Sequence, residues 1–182
     1  MESAAHISIQ RADAVIALGD TMANHLMESG GRIRVVHNWG SDNIEPRPTE
    51  DHPLRHAWGW HDKFVVLYSG NLGLPHEFET ILEAAHRLRS DRHILFAFVG
   101  DGARMAAAKA DAERLDHPNL EFRPYVADHD LASLLTASDV HIISLRNEAT
   151  GLSVPSKTYN ILAAGKPILF VEIGRASCRE RV

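Results

Sequence analysis

Residues 148–170 read EATGLSVPSKTYNILAAGKPILF. The stretch holds an acid, a short turn at Gly151, a Ser-Val-Pro-Ser-Lys corner and a helix start, set between the apolar runs Val140–Ile143 and Ile168–Val171. Such runs on either side of a helix read as strands covered on both faces, the signature of a βαβ unit in a parallel sheet. The same alternation repeats upstream. Phe64–Tyr68, Ile94–Val99 and Leu120–Phe122 read as strands. Phe78, Ile81, Leu82, Ala85 and Leu88 recur at helical spacing, Met105–Leu115 is an Ala-rich helix, and Leu131, Leu134 and Leu135 mark a short helix after Asp128. Tyr159–Ala164 is a further helix, ended by Gly165 and kept from continuing by Pro167. Right-handed crossovers then make an α/β fold, a doubly wound, Rossmann-like parallel sheet, the expected topology.

The N-terminal part reads as a strand at Ala14–Leu18, a helix capped by Asp20 or Thr21 that runs to Ser29, and a strand at Ile33–Val36. Between Gly40 and Asp62 three prolines and several acids interrupt any apolar period, so this segment reads as a loosely packed linker with one short helix at Pro53–Gly59.

The 182 residues are 45% hydrophobic with a net charge of −5, and no Lys/Arg-rich block occurs. Overall charge thus argues against nucleic acid, and any anionic ligand has to be held locally. No apolar run is long enough to span a bilayer. The single cysteine, Cys178, cannot form an internal disulfide. The 12 histidines show no zinc-site spacing and read as solvated surface residues. The ending EIGRASCRERV breaks the preceding pattern and looks like the translation of a sequencing adapter. Residues 172–182 therefore read as a non-native tail, against the alternative of a disordered native one.

Ligands of open parallel sheets collect at the carboxyl ends of the strands. Four connections lie there. In the first, residues 69–77, Gly70 and Gly73 allow a tight turn before a helix expected to begin at Pro75–Glu77, which suits an anion or is a plain βα turn. In the second, Gly100 ends a strand, Asp101 can cap the next helix and Gly102 lets the chain turn. In the third, Arg123 and Tyr125 can frame a flat base, or simply end a strand. In the fourth, the Glu148 carboxylate suits a sugar hydroxyl, Thr150, Gly151, Leu152 and Ser153 can aim backbone N–H groups at phosphate oxygens, and Ser156 caps a helix whose first turn holds Lys157. A lysine there opposes the helix dipole, a conflict that a bound diphosphate removes. Neither a GxGxxG fingerprint nor a P-loop is present, which disfavours a dehydrogenase.

Taken together, residues 12–170 resemble the family-4 retaining glycosyltransferases of the two-domain GT-B fold. The matches are the segments 12–18 and 35–42, then YSGNLG at 68–73, FVGDG at 98–102, Phe122 with Tyr125-Val126, ASDV at 137–140, and 148–167. The Ser-Val-Pro-Ser-Lys variant is similar to enzymes of bacterial surface polysaccharide and exopolysaccharide synthesis. The resemblance implies residues 1–45 as the tail of an N-terminal acceptor domain, 46–63 as the interdomain linker and 64–171 as an incomplete donor-binding domain. It implies a nucleotide-sugar donor, most often a UDP-sugar, and transfer with retention without cofactor or obligatory metal. A glycan or lipid-linked acceptor would bind through the absent N-terminal domain. It further implies a cytoplasmic enzyme, with peripheral association at the inner face of the membrane as an option. Lys157, the Gly70–Asn71 turn and the backbone of 151–153 would hold the diphosphate, Glu148 the donor sugar, and Tyr125 with Val126 the base. Asn160 stands where the family usually has a ribose-binding glutamate. The fragment is expected to carry the donor half, to expose apolar surface and to be inactive alone. A sugar-nucleotide 2-epimerase of the same fold, or a nucleotide-sugar-binding module without activity, are the competing readings.

Overall fold

The alternation of apolar runs becomes two parallel sheets of unequal size. The computed structural model describes residues 4–73, 76, 78–114, 117–146 and 155–173. The chain opens with α1 (Ala4–Arg11), β1 (Val15–Ala17), α2 (Asp20–Met27) and β2 (Ile33–Val35), and β1 pairs in parallel with β2. Gly19, not Asp20 or Thr21, occupies the N-cap of α2, and no side chain caps it.

The remaining elements are α3 (Pro53–Trp58), β3 (Phe64–Asn71), α4 (Glu79–Arg87), β4 (Ile94–Asp101), α5 (Met105–Arg114), β5 (Leu120–Arg123), α6 (Leu131–Ala137), β6 (Val140–Arg146), α7 (Lys157–Ala163) and β7 (Ile168–Ile173). A single 3₁₀ turn, Asp128–Asp130, leads into α6. The second sheet has five parallel strands in the order β5-β4-β3-β6-β7. The order reverses at β3, so the crevice between the carboxyl ends of β3 and β6 is the topological switch point. β7 extends through Glu172 and Ile173, opposite Leu145 and Arg146, two residues past its expected end.

Side chains alternate between the two faces of the sheet as period-two geometry requires. Val66, Tyr68, Phe96 and Phe98 pack with Phe78, Ile81, Leu82 and Ala85 of the α4 region and with Met105 and Ala108 of α5. Val65, Leu67, Leu95, Ala97 and Val99 face the other way, with Trp60 and Leu134 of α6. Ile143 of β6 meets Leu135, Ile161 and Ile44 on that side. Helices thus cover both faces. Along β7, Leu169 and Phe170 are half-exposed.

Two further expectations are corrected. The segment from Gly40 to Asp62 is not loosely packed: His52, Arg55 and Trp60 are buried. The histidines are not all on the surface, since His52, His117 and His141 are buried. Burial lowers the His52 pKa, helped by Arg47, Lys166 and Arg55, and takes that of His141 down to about 4. Both are neutral interior side chains.

Arg55 explains the packing of α3. Its Nη1 donates to the Ala137 carbonyl at 2.9 Å and to Asp139 Oδ2 at 3.0 Å, and its Nη2 donates to the Lys63 carbonyl. Asp139 Oδ2 also accepts from the backbone N–H of Val65 at 2.7 Å. One ion pair therefore fastens α3, the start of β3 and the α6–β6 turn. Removing one partner of such a pair strands the other charge, a loss of roughly 3 kcal/mol or more. We expect Asp139→Ala to lose about that amount in urea unfolding, and Arg55→Met/Asp139→Leu to lose clearly less. Equal losses would mean that the charge itself holds α3.

Candidate functional site

Beyond Val66↔Val140 and Leu67↔His141, β3 and β6 no longer pair, although β3 continues to Asn71 and β6 to Arg146. The parting leaves β6 carbonyls without strand partners. His76 meets one of them: its Nδ1 lies 2.7 Å from the Ser144 carbonyl oxygen, so Nδ1 carries the hydrogen and donates. Burial lowers the His76 pKa, the Ser144 bond opposes that shift, and the nearby Lys157 charge adds to it. Arg104 secures the same residue from behind, donating Nη1 to the His76 carbonyl at 2.6 Å.

A cleft of about 390 Å³ lies at the carboxyl ends of β3 and β4. Ser69 and Gly70 at the end of β3 and Val99 of β4 form its floor, and Tyr125, Val126 and Leu131 line the side that follows β5. Ser156, Lys157 and Asn160 enter from the start of α7. Asn38 and Trp39, which follow β2, close the rim.

Lys157 dominates the electrostatics. Its ammonium nitrogen is buried and has no hydrogen-bond partner among the described residues. It rests on the Tyr68 ring, 3.9 Å from the centroid. Tyr68 is held in turn by its hydroxyl, which donates to the Asn71 carbonyl at 3.0 Å. A Cβ built on Gly70 would lie 3.7 Å from Lys157 Nζ, so the β3 bend and the start of α7 converge. Burial lowers the Lys157 pKa from 10.5 to about 8.

The other sequence candidates divide. Tyr125, Val126, Ser156 and Asn160 line the cleft with Gly70 and Lys157. Ser156 occupies the N-cap of α7 but makes no side-chain capping bond. Asn160 Oδ1 accepts the Ser41 N–H at 2.9 Å, leaving its amide NH₂ as the donor end. Gly100 belongs to β4 and packs under Gly70: with φ +143°, a Cβ there would fall 2.1 Å from the Gly70 oxygen. Asp101 caps no helix, since α5 begins only at Met105, and its Oδ1 accepts from the Gly102 N–H. Asn71 ends β3 opposite Asp101, and the Gly73 carbonyl accepts from the His76 N–H. Helix α4 starts at Glu79, later than expected, with Phe78 at its N-cap. Arg123, the last residue of β5, pairs with Glu121 and lies 4.3 Å over the Trp58 ring, away from the cleft lining. Glu148, Thr150, Gly151, Leu152 and Ser153 lie outside the described residues.

The sequence reading missed Asn38, Trp39, Asp128 and Leu131 as cleft residues. One signal was available: a tryptophan in a polar stretch straight after a strand. Among the described residues, no group of three or more His, Cys, Asp or Glu is placed to hold a metal ion, and no helix is long and apolar enough to cross a membrane.

The sequence model of the family described as Glycosyl transferases group 1 matches residues 52–177. A protein of Pseudomonas aeruginosa named as a glycosyltransferase, WbjE, is 32% identical over 166 residues, covering 88% of this chain and 41% of its own length. WcaI of Escherichia coli (strain K12), named as a colanic acid biosynthesis glycosyl transferase, is 38% identical over 104 residues, 57% of this chain and 25% of its own. The chain thus spans well under half the length of these relatives. Among solved structures, Anabaena HepE in complex with UDP-glucose superposes with a TM-score of 0.66 at 20% identity, over 90% of this chain and 47% of HepE. The fold is that of the C-terminal domain of a GT-B protein.

A lysine with a lowered pKa burdens the fold in a definite pH window. Below pH 8 it is charged both folded and unfolded, and the full desolvation cost applies. Between 8 and 10.5 the folded state releases the proton first and the cost is relieved. Lys157→Met should therefore stabilise the protein at pH 7 by about 1–3 kcal/mol, the Tyr68 contact offsetting part of the burial term. The gain should shrink by pH 10. Urea unfolding at both pH values measures it, and a variant less stable than the parent at pH 7 would show that the ammonium supports the fold.

Proposed function

We propose, for a chain that belongs to the group 1 glycosyltransferases, that the cleft at the carboxyl ends of β3 and β4 is the donor site of a family-4 retaining enzyme using a UDP-sugar. The observation that carries this reading is the Lys157 ammonium: buried, without a hydrogen-bond partner among the described residues, and turned toward Gly70 at a sheet switch point. Burial of a cation at this cost is repaid when an anion arrives. The flexible lysine stem lets Nζ leave the Tyr68 face and meet a diphosphate.

In this arrangement the Asn160 NH₂ donates to a ribose hydroxyl, and Tyr125 with Val126 lies along the base. The Glu148 carboxylate and the backbone of residues 150–153 complete the sugar and phosphate contacts. During transfer the anomeric C–O bond to the diphosphate breaks and the acceptor oxygen bonds on the same face. The departing diphosphate takes the acceptor proton, while Lys157 balances the charge that develops on the leaving group. The HepE complex with UDP-glucose supports the donor class, and the name of WcaI supports a role in cell-surface polysaccharide synthesis. We place the whole enzyme in the cytoplasm, at the inner face of the membrane, with a glycan or lipid-linked acceptor on its other domain. The chain itself binds donor without transferring sugar, and turnover by the purified 182-residue chain would contradict that.

Calorimetric titration with UDP and UDP-glucose tests the site. Lys157→Gln should weaken both by about ten- to a hundredfold, as expected for loss of a charged hydrogen bond. Parental affinity should fall as pH rises through about 8, where Lys157 loses its proton, and Lys157→Gln should lack that fall. Equal affinities for the two proteins would remove the lysine from the site.

A further inference from the structure

We propose that Trp39 is a stacking platform in the donor cleft, taking the flat face of a ring of the bound nucleotide sugar. The inference rests on the donor reading above and adds a contact from outside the sheet. Trp39 is 74% exposed, the most exposed of the large apolar side chains described, and it lines the same cleft as Lys157. Among the described residues no ring or cation lies on it, whereas Trp58 carries Arg123 on its face at 4.3 Å and Trp60 edge-on at 4.9 Å. The cleft therefore has an uncovered indole at its rim.

The backbone around Trp39 is fixed. On one side, the Val36 N–H donates to the Ala17 carbonyl at 2.9 Å. On the other, Gly40 is pressed onto α7 so closely that a Cβ would meet the Tyr159 oxygen at 2.8 Å. The Ser41 N–H is held by Asn160, and Ile44 is buried with Ile161 and Ala164. The indole is thus presented by a strap whose backbone is already ordered, which leaves only the side chain to be fixed when a ligand arrives. A rigid, amphipathic ring of this kind suits a nucleobase or the C–H face of a sugar, since both offer a flat apolar surface. Asn160 joins the two ends of the site: it pins the strap through Oδ1 and lines the cleft beside Lys157.

The test titrates pyrophosphate, UDP and UDP-glucose into the 182-residue chain and into Trp39→Ala, Trp39→Phe and Lys157→Gln. We expect Trp39→Ala to lose about tenfold or more in UDP or UDP-glucose affinity, the scale of one base–aromatic stack, with pyrophosphate unaffected. Loss with UDP assigns the indole to the nucleoside, and loss with UDP-glucose alone assigns it to the transferred sugar. Trp39→Phe should retain most of the affinity. Unchanged affinity for both nucleotides in Trp39→Ala would overturn the proposal. An equal loss with pyrophosphate would overturn it as well, by showing general damage to the cleft. If Lys157→Gln still weakens binding in that case, the donor reading survives without Trp39. If the parent chain binds neither nucleotide, both fall.

Discussion

The parting of β3 from β6 is the constraint on which the rest depends. Two parallel strands that pair at Leu67 and His141 and then diverge expose carbonyls and N–H groups that the sheet would otherwise use. Unmet backbone groups are costly in an interior. The chain fills the gap with side chains: His76 donates to Ser144, Tyr68 packs edge-on against His76, and Lys157 lies on Tyr68. Lys157 links this gap to the cleft, which it lines together with Ser69 and Gly70 at the end of β3.

Helix α7 serves both the cleft and the chain that crosses it. Lys157 and Asn160 sit on its first turn and face the cleft. Tyr159 and Ala163 receive Gly40, and Ile161 buries Ile44. The amide at position 160 suits this double use. Its oxygen accepts the Ser41 N–H while its NH₂ remains a donor. A carboxylate could accept from Ser41 but would offer the cleft no donor. The segment after β2 is thereby locked to the helix that carries the lysine, and any shift of α7 moves the rim together with Lys157.

The strand cores were legible because both faces of the sheet are buried, so FVVLY and ILFAFV are apolar throughout. Their last residues were not. Ser69–Asn71 and Gly100–Asp101 have loop composition, yet they pair because Gly100 lets the backbones approach without a Cβ and Gly70 adopts a φ of +119°. Lys157 was read from the convergence of glycine, serine, proline and lysine on one loop, and Asn160 from the family resemblance; both line the cleft. Arg123 was not, because its partners come from elsewhere: Glu121 two residues back and Trp58 on α3. Side-chain direction at a strand end is set by which neighbour is there, and that is tertiary information. The packing of α3 was hidden for the same reason, since its anchor is Asp139, far along the chain.

Two features are not accounted for by contacts among the described residues. An apolar residue at position 157 would fill the space above Tyr68 without a desolvation cost, and a small polar residue at position 39 would leave the strap bonds intact. Local choices normally agree with the global fold, and the places where they do not are where function imposes its own demand. Here both departures open onto one cleft. One is a cation without a hydrogen-bond partner among the described residues, and the other is an uncovered aromatic ring. A ligand that satisfies both must carry an anionic group and a flat ring, held a short linker apart. A nucleoside diphosphate meets that description, whereas an inorganic anion or a plain sugar supplies only half of it.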